Sequence, residues 1–294
     1  MIESSRVMSA SHSPPPLLSP ALFPRSAHSS RPSRPSLVPL PAFADNYIWL
    51  LHDGEQAWVV DPGDAKPVLT ALQQHGLRLA GILVTHHHAD HVGGLAVLRP
   101  HLHGPIYGPA RERIPGPYAA LTEGDDIDVL GLRFQVLDVP GHTAGHIAYV
   151  EQDNDTDPLL FCGDTLFSAG CGRLFEGTPA QMAQSLAKFT ALPAATRVCC
   201  THEYTLSNLK FAAVVEPANA DVTEYTQQCQ ALRAAGLPTL PSSIGQELRI
   251  NPFLRCSEPA VVAAVRTQHS PGAQHDNQDA VAVLAALREW KNRF

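Results

Sequence analysis

The stretch Gly81-Ile82-Leu83-Val84-Thr85-His86-His87-His88-Ala89-Asp90-His91 constrains this chain more than any other. Its first four residues are an aliphatic run with β-branched members, preceded by a polar helical stretch, and read as a buried strand. Five side chains able to bind a metal then crowd into six positions, so the cluster falls on the loop leaving that strand's carboxyl end. Open α/β sheets place their ligands there. A histidine tag is terminal and of one residue type, whereas this cluster is internal and mixed with aspartate.

Spacing sorts the five. In an extended or tightly turned segment, positions two apart point the same way, so His86 and His88 can grip one ion. Asp90 and His91, past the bend, face a neighbouring point. A single ion needs about four ligands, so the loop alone is insufficient. Three downstream positions repeat the order of apolar stretch, turn and ligand: His142 in Pro-Gly-His-Thr-Ala-Gly-His, Asp164 in Phe-Cys-Gly-Asp-Thr, and His202 in Val-Cys-Cys-Thr-His-Glu-Tyr.

The pattern H-x-H-x-D-H followed by a distant His, Asp and His resembles the metallo-β-lactamase superfamily. Within it the chain is most similar to glyoxalase II, the hydroxyacylglutathione hydrolases. The segments that carry this are Asp45-Asn46-Tyr47, Asp61-Pro62-Gly63, Gly141-His142-Thr143, Gly163-Asp164-Thr165-Leu166-Phe167, the run from Gly170 to Thr178, His202-Glu203-Tyr204-Thr205, Asn208-Leu209-Lys210-Phe211 and Asn251-Pro252-Phe253-Leu254-Arg255. They span nearly the whole chain except its amino-terminal tail. The metal loop specifies the superfamily and the later segments the member.

With 294 residues, 44% of them hydrophobic, the chain can build a large core in one or two domains. No apolar run approaches the roughly 20 residues needed to cross a bilayer, so a soluble protein with no membrane partner is expected. A formal net charge of −7 argues against nucleic acid or anionic lipid as partners, and an acidic substrate must be met by locally grouped Arg and Lys. Six cysteines without a C-x-x-C pair read as small buried hydrophobes in a reducing compartment, and none is given a catalytic role. The cytoplasm is the expected location and a monomer the expected state.

Residues 1–36 are rich in Ser and Pro, with Arg6, Arg25, Arg31 and Arg34 and no acid between Glu3 and Asp45, and read as a disordered tail. Such a basic, Ser-rich start is also a feature of organelle transit peptides, though its prolines spoil the usual amphipathic helix. A start codon placed too far upstream would give the same tail. From about residue 37 the pattern predicts strands at Tyr47 to Leu51, Ala57 to Val60, Ile127 to Leu130, Arg133 to Val139, Ile147 to Val150, Leu159 to Cys162 and Arg197 to Cys200. Helices are expected from Ala65 to His75, after Gly93-Gly94 to about Arg99, and from the Thr178-Pro179-Ala180-Gln181 capping box to about Ala191. After His202, helical periodicity recurs over Leu206 to Val215, Asp221 to Ala235, Glu258 to Thr267 and Asp279 to Lys291, between Pro-rich joints. The fold class is therefore α/β. The resemblance implies an αββα metallo-β-lactamase sandwich at 37–203 and a small all-helical domain at 204–294 that binds glutathione.

Carried over position by position, the resemblance gives one metal His86, His88 and His142 and the other Asp90, His91 and His202, with Asp164 bridging. Asp90 and Asp164 are the expected catalytic carboxylates. The cofactors implied are two divalent ions, zinc foremost and iron or manganese as alternatives. Two ions about 3.5 to 4 Å apart can share one water and lower its pKa from about 15.7 toward 7. The substrate implied is S-lactoylglutathione or another 2-hydroxyacyl thioester of glutathione, cleaved by that hydroxide in methylglyoxal detoxification. A thiol of pKa about 8.5 leaves as thiolate without a general acid, which suits a thioester. Arg288 and Lys291, three apart on the last helix, match the family's Arg-x-x-Lys pair; Arg173, Phe175 and Tyr204 match other glutathione-contacting positions. Arg173 stands where Lys is usual, which keeps the cation. Phe175 stands where Tyr is usual, which loses a hydroxyl. His87 and His146 are expected in a structural role or behind the ligands, where either could hydrogen-bond a carboxylate. The competing readings are another enzyme of the fold, such as an iron persulfide dioxygenase, a β-lactamase or a broad thioesterase, and a non-catalytic metal-binding module.

Overall fold

Apolar runs in the first two thirds of the chain form strands that pair largely in order of sequence. The computed structural model describes residues 34–154, 156–268 and 279–294. The expected tail lies outside the described residues as far as Ser33, and the question of targeting with it. Arg34, the first described residue, pairs with Glu151 at 2.6 Å and Asp157 at 3.1 Å.

The first sheet runs β1 (Ser36–Ala42), β2 (Asn46–His52), β3 (Gln56–Val60), β4 (Arg78–Leu83), β5 (Ile106–Pro109), β6 (Ala119–Leu121) in that spatial order. It is antiparallel from β1 to β3 and parallel from β3 to β6. The crossover from β3 to β4 is α1 (Ala65–His75), which Asp64 caps through the Lys66 amide and Gly76 ends in the left-handed conformation, as expected. Then come α2 (Ala89–Val92) and α3 (Leu95–Leu98).

The second sheet takes β7 (Asp126–Val129), β8 (Leu132–Asp138), β9 (Ile147–Glu151) and β10 (Leu159–Gly163). After the small hairpin of β11 (Leu166–Phe167) and β12 (Gly170–Cys171) it adds β13 (Arg197–Cys200) and β14 (Ser242–Ser243). Its order is β14-β13-β10-β9-β8-β7. One continuous core joins Trp49, Leu51, Val60 and Leu83 of the first sheet to Phe134, Tyr149, Phe161 and Val198 of the second. Two fully buried aromatics bond across it: Trp49 Nε1 donates to Cys200 O at 3.0 Å and Tyr149 OH to Val84 O at 2.9 Å. A buried indole or phenol needs such a partner, and here each partner lies at the strand end that leads into a histidine loop.

α4 (Pro179–Thr190) opens with both bonds of the expected capping box. Beyond β13 the chain is largely helical: α5 (Thr205–Val215), α6 (Ala220–Ala234), α8 (Pro259–Gln268) and α9 (Ala280–Arg293) fall where the periodicity predicts them, and α7 (Ile244–Ile250) lies between the Pro-rich joints, where no helix is expected. This region also lends Ser242 and Ser243 to the edge of the second sheet, opposite Val198 and Arg197. The described residues pack as one unit. All six cysteines are free and buried. Among the described residues no helix is long and apolar enough to cross a membrane.

Candidate metal centre

Four turns converge at one end of the sheets. β4 leads into His86–His91, β8 into His142, β10 into Asp164 and β13 into His202. The turn at Asp164 needs Gly163 (φ 48°), because a Cβ there would overlap Thr85 Oγ1 and the His146 ring. Backbone bonds set the neighbours: Ile147 N donates to Thr85 O at 3.0 Å, and Tyr47 N to Thr201 O at 2.7 Å.

All seven expected ligands come together, in two groups. His86 Nε2 and His142 Nε2 lie 3.1 and 3.0 Å from His88 Nδ1. Nitrogens bound at about 2.0–2.1 Å to a tetrahedral ion stand roughly 3.3 Å apart, so this triangle is the right size for one. In the second group, His91 Nε2 and His202 Nε2 each lie 3.4 Å from Asp90 Oδ2. Asp164 stands between them: Oδ2 is 3.4 Å from His142 Nε2, while Oδ1 is 3.5 Å from both His91 Nε2 and His202 Nε2. His91 Nε2 is buried without a hydrogen bond of its own. A buried nitrogen aimed at two carboxylates fits a metal ligand, and so does the whole donor set of imidazoles and carboxylates.

The electrostatics agree. Burial, reinforced by neighbouring histidines, pushes the His86 imidazole well below its ordinary range, and burial also lowers His88 and His142, so the first group offers neutral lone pairs. Burial alone would raise the Asp90 and Asp164 carboxyls, but His91 and His202 beside them hold both well below the usual carboxylate range. The same pairing, working against burial, lifts His91 well above its ordinary value and His202 to about 10. Two ionised carboxylates in one buried spot demand positive charge, which protons on these histidines or divalent cations can provide.

Behind the ligands, second nitrogens are held. His91 Nδ1 lies 3.1 Å from Asp61 Oδ2, His202 Nδ1 lies 2.8 Å from Asp45 Oδ1, and His142 Nδ1 donates to Arg173 O at 2.9 Å. Asn46 Nδ2 donates to Asp90 Oδ2 at 3.0 Å, and Thr201 Oγ1 to Asp164 Oδ1 at 2.6 Å. Such partners fix ring orientation and tautomer. His87 meets a carboxylate as expected, Glu112 at 2.9 Å. His146 takes the structural role instead: its Nε2 accepts the Asp164 amide at 3.1 Å, and its ring stacks on His86 with centroids 4.6 Å apart. Sequence reasoning gave Asp45, Asn46, Asp61, Glu112 and Thr201 no role. Asp61 carried a usable signal, since it follows an apolar strand as the ligands do.

A cavity of about 470 Å3 opens beside the centre, lined by His142 and Asp164 and by all five expected substrate-binding residues, Arg173, Phe175, Tyr204, Arg288 and Lys291. Tyr204 stacks on His202 with centroids 4.6 Å apart, and Phe175 stands edge-on to His88 and His142. Lys291 Nζ donates to Ser207 O at 3.1 Å, and burial, with Arg288 and Arg173 nearby, lowers its ammonium to about 8. Arg288 is more enclosed than a capture residue on an open helix face would be: it is 6% exposed and donates to Cys171 O at 2.8 Å. A larger cavity, about 760 Å3, opens by α8, but none of its lining residues is a histidine.

Residues 43–202 match the model of the metallo-beta-lactamase superfamily, and residues 203–294 that of the hydroxyacylglutathione hydrolase C-terminus. A curated relative from Albidiferax ferrireducens, named hydroxyacylglutathione hydrolase, is 60% identical over 88% of this chain and 99% of its own. One of the same name from Cupriavidus taiwanensis is 54% identical over 87% of this chain and 98% of its own. Among solved structures, TTHA1623 in a di-iron-bound form is similar with a TM-score of 0.54 and 27% identity, over 74% of this chain and all of that one.

Proposed function

The chain belongs to the hydroxyacylglutathione hydrolases of the metallo-β-lactamase superfamily, and from that premise we propose how its residues carry out thioester hydrolysis. The substrate is a 2-hydroxyacyl thioester of glutathione, chiefly S-lactoylglutathione, and the products are glutathione and lactate. This places the enzyme in methylglyoxal detoxification.

The observation that carries the reading is a single cavity lined both by Asp164 and His142 and by Arg173, Arg288 and Lys291. Glutathione is a net anion, and on a chain of net charge −7 it needs such a local group of cations. We assign His86, His88 and His142 to one ion and Asp90, His91 and His202 to the other, with Asp164 shared. Zinc is the first choice, and iron or manganese would suit the same donors. Bound there, the ions would supply Lewis acidity, making water a nucleophile at neutral pH and stabilising the charge of the tetrahedral intermediate.

The chain's own groups do the rest. Asp90, held by Asn46 and partly exposed, would accept a hydrogen bond from the attacking water and orient it. Arg173 and Lys291 hold substrate carboxylates, while Phe175 and Tyr204 flank the thioester and limit water. The thiolate leaves without an acid. Residues 37–203 thus carry the reaction and, through Arg173 and Phe175, part of the substrate wall, which 204–294 complete. A monomer is the working unit of this reading, and the cytoplasm, where glutathione is abundant and cysteines stay reduced, suits it.

Elemental analysis of the purified protein, together with thiol release from S-lactoylglutathione, tests the reading. Two equivalents of metal and turnover are expected. Metal binding without cleavage of any glutathione thioester would overturn it.

A further inference from the structure

Glu112 has no part in the scheme above, yet it is a buried acid beside the centre, outside the ligand set, with both carboxylate oxygens bonded. It follows β5, its backbone carbonyl accepts from Tyr118 OH at 3.0 Å, and its side chain is only 2% exposed. Oε1 accepts from Thr143 Oγ1 and from the Gly145 amide at 3.1 Å. Oε2 faces His87 Nδ1 at 2.9 Å. Thr143 adjoins His142, and His87 lies between His86 and His88. One carboxylate therefore ties together the two loops that carry the three-histidine group.

We propose that Glu112 is a positioning residue that sets the spacing between the His86–His88 loop and the His142 loop, gripping them through His87 and Thr143. Three features support it. A buried carboxylate is costly unless its oxygens are bonded, and here the partners come from both loops. The approach is close enough to require glycine: a Cβ on Gly145 would lie 2.6 Å from Glu112 Cγ and 2.8 Å from Arg111 O. Glu176 adds a second tie, with Oε2 accepting the Ala144 amide at 2.8 Å and Oε1 standing 3.4 Å from His87 Nε2. The other group is held by different residues, Asp45, Asn46 and Asp61. The brace thus acts on one of the two metal positions. The inference rests on reading His86, His88 and His142 as ligands of one ion.

The test is titration of metal-free protein with zinc, read by calorimetry, and with cobalt(II), read by its visible absorption. Wild type should take up two equivalents. Glu112→Ala should keep one at wild-type affinity and bind the other about 10–100-fold more weakly. Its one-equivalent cobalt spectrum should match that of His142→Ala rather than His202→Ala. Thr143→Val, nearly isosteric, should weaken the same equivalent by a smaller factor, and it carries the test if Glu112→Ala does not fold. Glu112→Gln, which keeps an acceptor for Thr143 and Gly145, should recover most of the affinity. For all three variants kcat should fall while KM stays within about twofold of wild type. Unchanged affinities in the variants that fold, or equal weakening of both equivalents, would overturn the proposal. So would a third wild-type equivalent that Glu112→Ala removes, since Glu112 would then be a ligand. A wild type that binds two zinc ions but releases no thiol would defeat the proposed reaction and leave this titration informative.

Discussion

The two sides of the cavity are built differently. On the metal side, His86 and His91 are fully buried, the ligands sit on turns at strand ends or on the short α2, and buried acids or backbone carbonyls hold several rings from behind. On the cation side, Phe175 is 62% and Tyr204 36% exposed, and Lys291 projects from the last helix onto Phe211 and Phe294. Rigid placement suits groups that must meet a transition state; a looser wall suits a flexible tripeptide. Changes on the first side should act on kcat, and changes on the second on KM.

The sharpest way to break this contrast is Asp164→Ala, which removes the one carboxylate facing both groups. We expect kcat to drop about a thousandfold or more, equivalent to roughly 4 kcal/mol, in thiol-release assays. A change confined to KM would erase the distinction. Next is Asp61→Ala, which unpairs His91 Nδ1 and should weaken metal binding about 10–100-fold in a chelator competition. Lys291→Ala should raise KM for S-lactoylglutathione about tenfold, a charge-assisted bond discounted for partial exposure, with kcat within about twofold.

A pH series sharpens the same point. The Lys291 ammonium, lowered to about 8, loses its charge as pH rises through that value while substrate carboxylates keep theirs. kcat/KM should therefore decline above about pH 8, and Lys291→Arg, which stays charged, should flatten that limb. Identical profiles would remove Lys291 from binding. The smallest effect is expected for Phe175→Tyr, where a restored hydroxyl at an exposed edge should lower KM by no more than about threefold.

Much of the metal side was legible in the sequence because it depends on local rules. Ligands two apart on a turn after an aliphatic run can be assigned by periodicity, and His142, Asp164 and His202 repeat that order. The cation side was legible only through family resemblance, since Arg288 and Lys291 on a helix face look like any solvated pair. What was missed has a common cause. Glu112 and Asp61 are ordinary acids in sequence, and their roles depend on contacts with His87, Thr143 and His91, residues remote along the chain.

Most of the strands and helices, the seven candidate ligands and the separation of His86 and His88 from Asp90 and His91 followed from side-chain spacing and backbone preference, while the resemblance assigned His142, Asp164 and His202 among the two points. Tertiary packing decided the remainder: that Asp164 turns one oxygen to each group, that His146 accepts an amide instead of meeting a carboxylate, and that Arg288 is enclosed against Cys171. Local dihedral preferences act over a few residues, whereas the direction of a buried polar atom is chosen by whichever distant partner satisfies it.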